Sequence, residues 1–177
     1  MPTNLELKVK LKSFDEVKKI LNNINAEFIH ILIQKDVYYK IPDGLLKLRI
    51  ENSDSSLLPE RQSLIKYNRD EKGADRFSDY EVLNFSSGKT EKFFNSIFKI
   101  EAVVQKKRQL YLFENTRVHL DEVKGLGKFL ELETLVIKGK TDAKKRFDFI
   151  KKTLMLDDLD EIKKSYRDLI IARNNKK

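Results

Sequence analysis

Asn4-Leu5-Glu6-Leu7-Lys8-Val9-Lys10-Leu11-Lys12 alternates strictly, with Leu5, Leu7, Val9 and Leu11 on one side and Asn4, Glu6, Lys8, Lys10 and Lys12 on the other. A period of two sustained over nine residues describes a β-strand with one apolar and one charged face. The pattern recurs downstream. Leu46, Leu48 and Ile50 alternate with Lys47, Arg49 and Glu51, and further extended stretches cover 27–40, 62–69, 77–83, 101–113, 116–123 and 128–138. Pro42-Asp43-Gly44 marks a turn, Gly125 and Gly127 sit in another, and 52–60 and Asp70–Asp75 read as connections. Helical spacing appears four times. A first helix, begun by a Ser13–Glu16 capping pair, turns Phe14, Val17, Ile20, Leu21 and Ile24 to one side. A second, at 88–98, buries Phe93, Phe94, Ile97 and Phe98; a third, capped by Thr141, buries Phe147, Ile150 and Leu154; a last runs from Asp158 to Ala172. Eight strands and four helices without βαβ alternation predict an α+β fold with a mainly antiparallel sheet. The expected organisation is one domain over 1–177, with the strands in 1–140 and the C-terminal helices in 141–174.

The chain has 177 residues, 36 Lys and Arg against 28 Asp and Glu, a net charge of +8 and no cysteine. Disulfides, thiolate nucleophiles and thiolate-bound zinc or iron–sulfur centres are therefore excluded. No apolar run reaches the roughly 18 residues of a membrane span, and no signal-peptide pattern opens the chain, so no membrane partner and a cytoplasmic location are expected. Half of the positive excess falls in 142–177, and no block of five or six like charges exists. Without an RNA- or DNA-binding signature, that charge does not by itself indicate a nucleic-acid partner.

The charged strand faces carry more information. Polar residues at i, i+2 spacing recur as Glu6, Lys8 and Lys10; Lys47 and Arg49; Lys106 and Arg108; Arg117, His119 and Asp121; and Glu131 and Glu133. On an ordinary half-buried sheet such a face is simply solvated. If amphipathic helices cover the apolar face instead, the sheet can close on itself around a polar lumen. Cations at that density repel one another unless an anion neutralises them, as a polyphosphate with a divalent metal would. Lys10, Lys12 and Lys107 fit surface positions, and His30 fits a strand surface or a satisfied core site. His119 beside Asp121 does not by itself make a metal site or a base. These residues point to an anionic ligand and leave the reaction open.

Several segments carry a resemblance. They are Asn4-Leu5-Glu6-Leu7-Lys8, Gln34–Tyr39, Gly44-Leu45-Leu46-Lys47-Leu48-Arg49, Leu64–Arg69 followed by Arg76–Tyr80, Val104–Arg108 with Tyr111, and Leu120–Glu133. In this order they resemble the motifs of the CYTH family, the triphosphate tunnel metalloenzymes, across nearly the whole chain. The resemblance implies an eight-stranded antiparallel β-barrel, a tunnel with helices packed outside, that acts on triphosphates with Mg²⁺ or Mn²⁺. It also implies roles. Glu6, Glu131 and Glu133 would hold metal and, with Lys8, form the catalytic set; Asp121 would be a further ligand or would support one. Lys8, Arg49, Lys106 and Arg108 would grip the triphosphate, with Lys47, Lys66, Arg69, Arg76 and Arg117 as further substrate contacts. Which of Lys66 and Arg69 faces inward is left open by the sequence. Asn4 stands where the family motif has its first Glu; it offers an oxygen but no charge, which bears on whether a second metal binds.

Three functions follow from the resemblance: a triphosphatase acting on a nucleoside, organic or inorganic triphosphate; a class IV adenylate cyclase making cyclic AMP and pyrophosphate from ATP; and a triphosphate-binding module without turnover. The expected partners are ATP, thiamine triphosphate or inorganic triphosphate, nucleic acid only as a 5′-triphosphate end, and a second copy of the chain in a homodimer. Ser165-Tyr166-Arg167-Asp168-Leu169-Ile170 resembles an ending of the cyclase branch, although Tyr166, Leu169 and Ile170 equally form the apolar side of a helix.

Overall fold

A computed structural model describes residues 3–54, 59–69, 77–86 and 88–176, with the Arg69 side chain outside that description. In chain order the elements are β1 (Thr3–Leu11), α1 (Asp15–Asn23), β2 (Glu27–Tyr39), β3 (Leu45–Ser53), β4 (Arg61–Arg69), β5 (Phe77–Phe85), α2 (Thr90–Ile97), β6 (Ile100–Phe113), β7 (Thr116–Val123), β8 (Gly127–Leu135), α3 (Lys140–Thr153) and α4 (Tyr166–Asn174). All eight strand pairings are antiparallel and close a barrel in the order β1-β5-β4-β3-β2-β6-β7-β8. The α+β barrel with outer helices is thus borne out. The closing β1–β5 pairing is the shortest, with Thr3–Leu5 against Phe77–Asp79.

Two of the apolar clusters lie outside the barrel wall. Leu5, Leu7, Val9, Val118, Leu120, Leu130 and Leu132 pack under Val17 and Leu21 of α1 and Phe147 and Ile150 of α3. A second cluster sets Val37, Tyr39, Leu46 and Leu48 under Phe94 and Phe98 of α2 and its C-terminal edge. At roughly 25 cal/mol per Å² of apolar surface removed from water, these faces favour the inside-out arrangement that turns the charged faces to the lumen. The tight β7–β8 reversal uses Gly125 and Gly127 at φ 77° and 102°, values a side chain tolerates poorly.

Local expectations need correction in several places. Helix α1 begins at Asp15, so Glu16 is one residue early for a capping box; the Ser13 hydroxyl donates to the Asp15 carboxylate instead. Thr141 lies inside α3, whose N-cap is Gly139. Phe93 and Ile97 are exposed, and only Phe94 and Phe98 of that quartet pack inward. The last strand ends at Leu135 rather than 138. The final helix starts at Tyr166, not Asp158, because the stronger start signal is the reciprocal capping box of Ser165 and Asp168. The preceding stretch instead bonds β1, with the Ile162 N–H donating to the Lys8 carbonyl at 2.8 Å. The Asp70–Asp75 connection and Ser87 lie outside the described residues.

Candidate active site

Strand register builds the site in rows. Glu6 on β1 sits opposite Glu133 on β8, which sits opposite Arg117 on β7. Two residues deeper, Lys8 opposes Glu131, which opposes His119. On the other wall, β6 and β3 each carry a Lys-x-Arg pair, Lys106/Arg108 and Lys47/Arg49. These side chains surround a lumen cavity of about 180 Å³, lined by six cations (Lys8, Lys47, Arg49, Lys106, Arg108 and Arg117) and three carboxylates (Glu6, Glu131 and Glu133), with Asn4 and Tyr166 among the rest.

The cations are fixed from behind by buried aspartates. Arg108 donates from Nε and Nη2 to the two Asp121 oxygens, both at 2.6 Å, and Lys106 donates to the same carboxylate at 3.1 Å. Across the barrel, Arg49 forks onto Asp36 at 2.7 and 2.8 Å, and Lys47 joins it at 3.0 Å. Both aspartates are nearly inaccessible to solvent. Burial alone would raise their pKa values, but the facing Arg and Lys charges outweigh it and hold both carboxyls well below the usual range. For Lys47, burial and then Arg49 push the ammonium down to about 7 against the pull of Asp36.

The carboxylate side is also engaged. Glu131 pairs with Lys8 at 3.2 Å and with Arg108 at 2.6 Å, and Glu133 pairs with Arg117 at 3.0 Å. Burial would raise the Glu133 pKa, yet the charges of a protonated His119, of Arg117 and of Arg108 hold it below the usual range. Burial and then Arg108 lower His119 to about 3, so its imidazole is neutral at ordinary pH and the two arginines keep Glu133 ionised. His119, Glu131 and Glu133 can each offer a ligand atom within 4.8 Å of the other two. Both His119 ring nitrogens and the buried Asn4 Oδ1 lack hydrogen-bond partners. Clustered oxygens with unsatisfied donor atoms beside them fit a divalent cation.

An apolar cluster also lines the lumen. Tyr166, the first residue of α4, enters it and packs with Phe129, Tyr38, Tyr67 and Val104. Its hydroxyl donates to Asp121 at 3.0 Å, and Lys8 and Lys106 lie over its ring at 4.1 and 4.8 Å. Lys47 lies comparably over Tyr38 and Tyr67 at 5.5 and 5.4 Å.

The CYTH domain profile matches residues 2–166. The chain belongs to the CYTH family. A Methanocaldococcus jannaschii protein provisionally named an adenylate cyclase is 26% identical, over 93% of this chain and 97% of its own. A solved Pyrococcus horikoshii structure is 26% identical with TM-score 0.75, covering 96% of this chain and 99% of that one. A conserved hypothetical protein from Pyrococcus furiosus is 25% identical with TM-score 0.75, covering 94% and 99%. CYTH proteins are metal-dependent and act on triphosphates, as triphosphatases or adenylate cyclases. Among the described residues no helix is long and apolar enough to cross a membrane.

Of the residues that the CYTH motifs single out, Glu6, Lys8, Lys47, Arg49, Lys106, Arg108, Arg117, Glu131 and Glu133 all meet at the cavity. Lys66 is exposed on the outer face of β4, whose inner positions are Ile65 and Tyr67; the open register question is settled against it. Asp121 does not line the cavity but lies under Arg108 and Lys106. Arg76 and the Arg69 side chain fall outside the described residues. Sequence reasoning assigned no role to Asp36 or Tyr166 and discounted His119. A Lys-x-Arg pair on each of two strands was the available signal for the buried acids. For Tyr166 the signal was the Ser165–Ile170 ending that resembles the cyclase branch, but its apolar side equally fits a helix and does not announce that Tyr166 reaches the lumen.

Proposed function

We propose that the protein is a metal-dependent triphosphatase. Six cations and three carboxylates converging on one small cavity are the observation that carries this reading. Lys8, Arg49, Lys106 and Arg108, joined by Lys47 and Arg117, take the phosphate oxygens, while Glu6, Glu131 and Glu133 hold the metal. Asp121 and Asp36 act as positioning residues: each occupies the Nε–Nη2 edge of its arginine and fixes the guanidinium plane before substrate arrives. Mg²⁺ or Mn²⁺ bound there would neutralise phosphate charge and lower the pKa of water. Hydrolysis breaks the terminal P–O bond, and the departing oxygen gathers charge that the fixed cations stabilise without reorganising. The substrate class is ATP, thiamine triphosphate, inorganic triphosphate or an RNA 5′-triphosphate end.

The name of the Methanocaldococcus relative favours a second reading, cyclisation of ATP. One assay separates the two. The protein is incubated with ATP, thiamine triphosphate and inorganic triphosphate under Mg²⁺ or Mn²⁺, and the products are resolved. Inorganic phosphate is expected. Cyclic AMP with pyrophosphate would establish the cyclase instead, and binding without turnover would overturn both enzymatic readings.

A further inference from the structure

We infer that His119 is a metal ligand, which makes this an N/O site favouring Mn²⁺ over Mg²⁺. The inference rests on the proposed role of Glu131 and Glu133 and deepens it. His119 is 5% exposed on β7, directly across the strand pairing from Glu131. Its Nε2 is 3.8 Å from the Glu133 carboxylate, beyond hydrogen-bond range, and neither ring nitrogen has a hydrogen-bond partner. A buried imidazole with both nitrogens unsatisfied is costly unless something occupies them. The three side chains present donor atoms within 4.8 Å of one another, so small side-chain shifts would let a single ion meet all of them.

The chemistry of the donor then sets the preference. Mg²⁺ binds oxygen almost exclusively and keeps several waters, whereas imidazole nitrogen suits first-row transition ions. Asn4 acts in the same direction: an amide replaces a carboxylate on the cavity wall, lowering the anionic charge that favours a hard ion. Neutral nitrogen at 119 and neutral oxygen at 4 thus shift the site away from an all-carboxylate cage.

The test needs no turnover. Full-length protein freed of metal is titrated with MnCl₂ and with MgCl₂ by calorimetry, as parent, His119→Gln and Glu133→Gln. Pulsed electron paramagnetic resonance of the Mn²⁺-loaded parent looks for nitrogen coupling. The expected results are ¹⁴N coupling in the parent, Mn²⁺ affinity weakened about tenfold or more in His119→Gln with Mg²⁺ affinity within about twofold, and loss of both ions in Glu133→Gln. Absence of nitrogen coupling in the parent overturns the inference whether or not the variant folds, and so does a variant with the parental Mn²⁺ affinity. If Glu133→Gln also binds both ions as the parent does, the carboxylate site itself fails and the histidine with it. If only the histidine results fail, the triphosphatase reading stands.

Discussion

Arg108 links the two halves of the site, since one guanidinium grips Asp121 with two nitrogens and reaches Glu131 with one of them. Arg108→Ala should weaken inorganic triphosphate binding by about 1.5–3 kcal/mol, the range for a hydrogen bond to a charged group. A dissociation constant equal to the parent's would remove Arg108 from the site. Glu131→Gln and Glu133→Gln should each abolish metal-dependent turnover while thermal melting stays cooperative; full activity in both would sink the metal assignment. Lys47 gives a pH signature. With its ammonium pushed to about 7, part of the free protein is neutral there above that pH, and a bound triphosphate favours the charged form. Binding at pH 8 should therefore take up protons, seen as a binding heat that varies with the ionisation enthalpy of the buffer, and affinity should fall as pH rises further. A buffer-independent heat would show Lys47 already charged. The lysines and arginines on the lumen face could be read from period-two spacing alone, because alternation fixes which residues share a face. Asp36 could not: its importance comes from lying beside Arg49 in the β2–β3 register, and register is decided by which strands pair.

Among the elements, α4 is the one whose placement matters most to the site and was least legible. Its apolar residues were visible in the sequence, but its start was misplaced by eight residues, because Asp158 and Ser165 both look like helix openers and only the second has its reciprocal partner, Asp168, in place. Ser165→Ala should destabilise the protein by about 1 kcal/mol in urea titration. Thr141→Ala, inside α3 rather than at its cap, should change stability by only a few tenths. Equal effects would mean that the Ser165 box holds nothing. The strands were legible to within a few residues because each is long and several, β1 and β3 above all, alternate strictly. The partial misreading of α2 has a simple cause: four apolar residues within six positions outnumber the space over Tyr39, and the wall accepts Phe94 and Phe98 while Phe93 and Ile97 stay in solvent.

At the scale of the molecule, the usual relation of core to surface is partly inverted: two apolar clusters lie between wall and helices, and the lumen holds the charges beside a third. Alternation predicted two chemically distinct faces, but closure depends on β1 meeting β5, a pairing between strands far apart in the chain that no local pattern encodes. The buried charges tie stability to acid. Asp36, Asp121, Glu133 and Asp168 all have folded pKa values below their unfolded ones. Their stabilisation is complete above the unfolded carboxylate range, at a pH of about 4.5, and is lost as pH falls toward 2. The melting temperature should drop steeply through that window; a flat profile would show that the lumen ion pairs contribute nothing net. Tyr166 has a further consequence. It ties the C-terminal helix to the lumen, with its hydroxyl on Asp121 and its ring under Lys8 and Lys106. The last turns of the chain thus act as a tether on the charged rows of the barrel, and a change made far out along α4 would be felt at the centre.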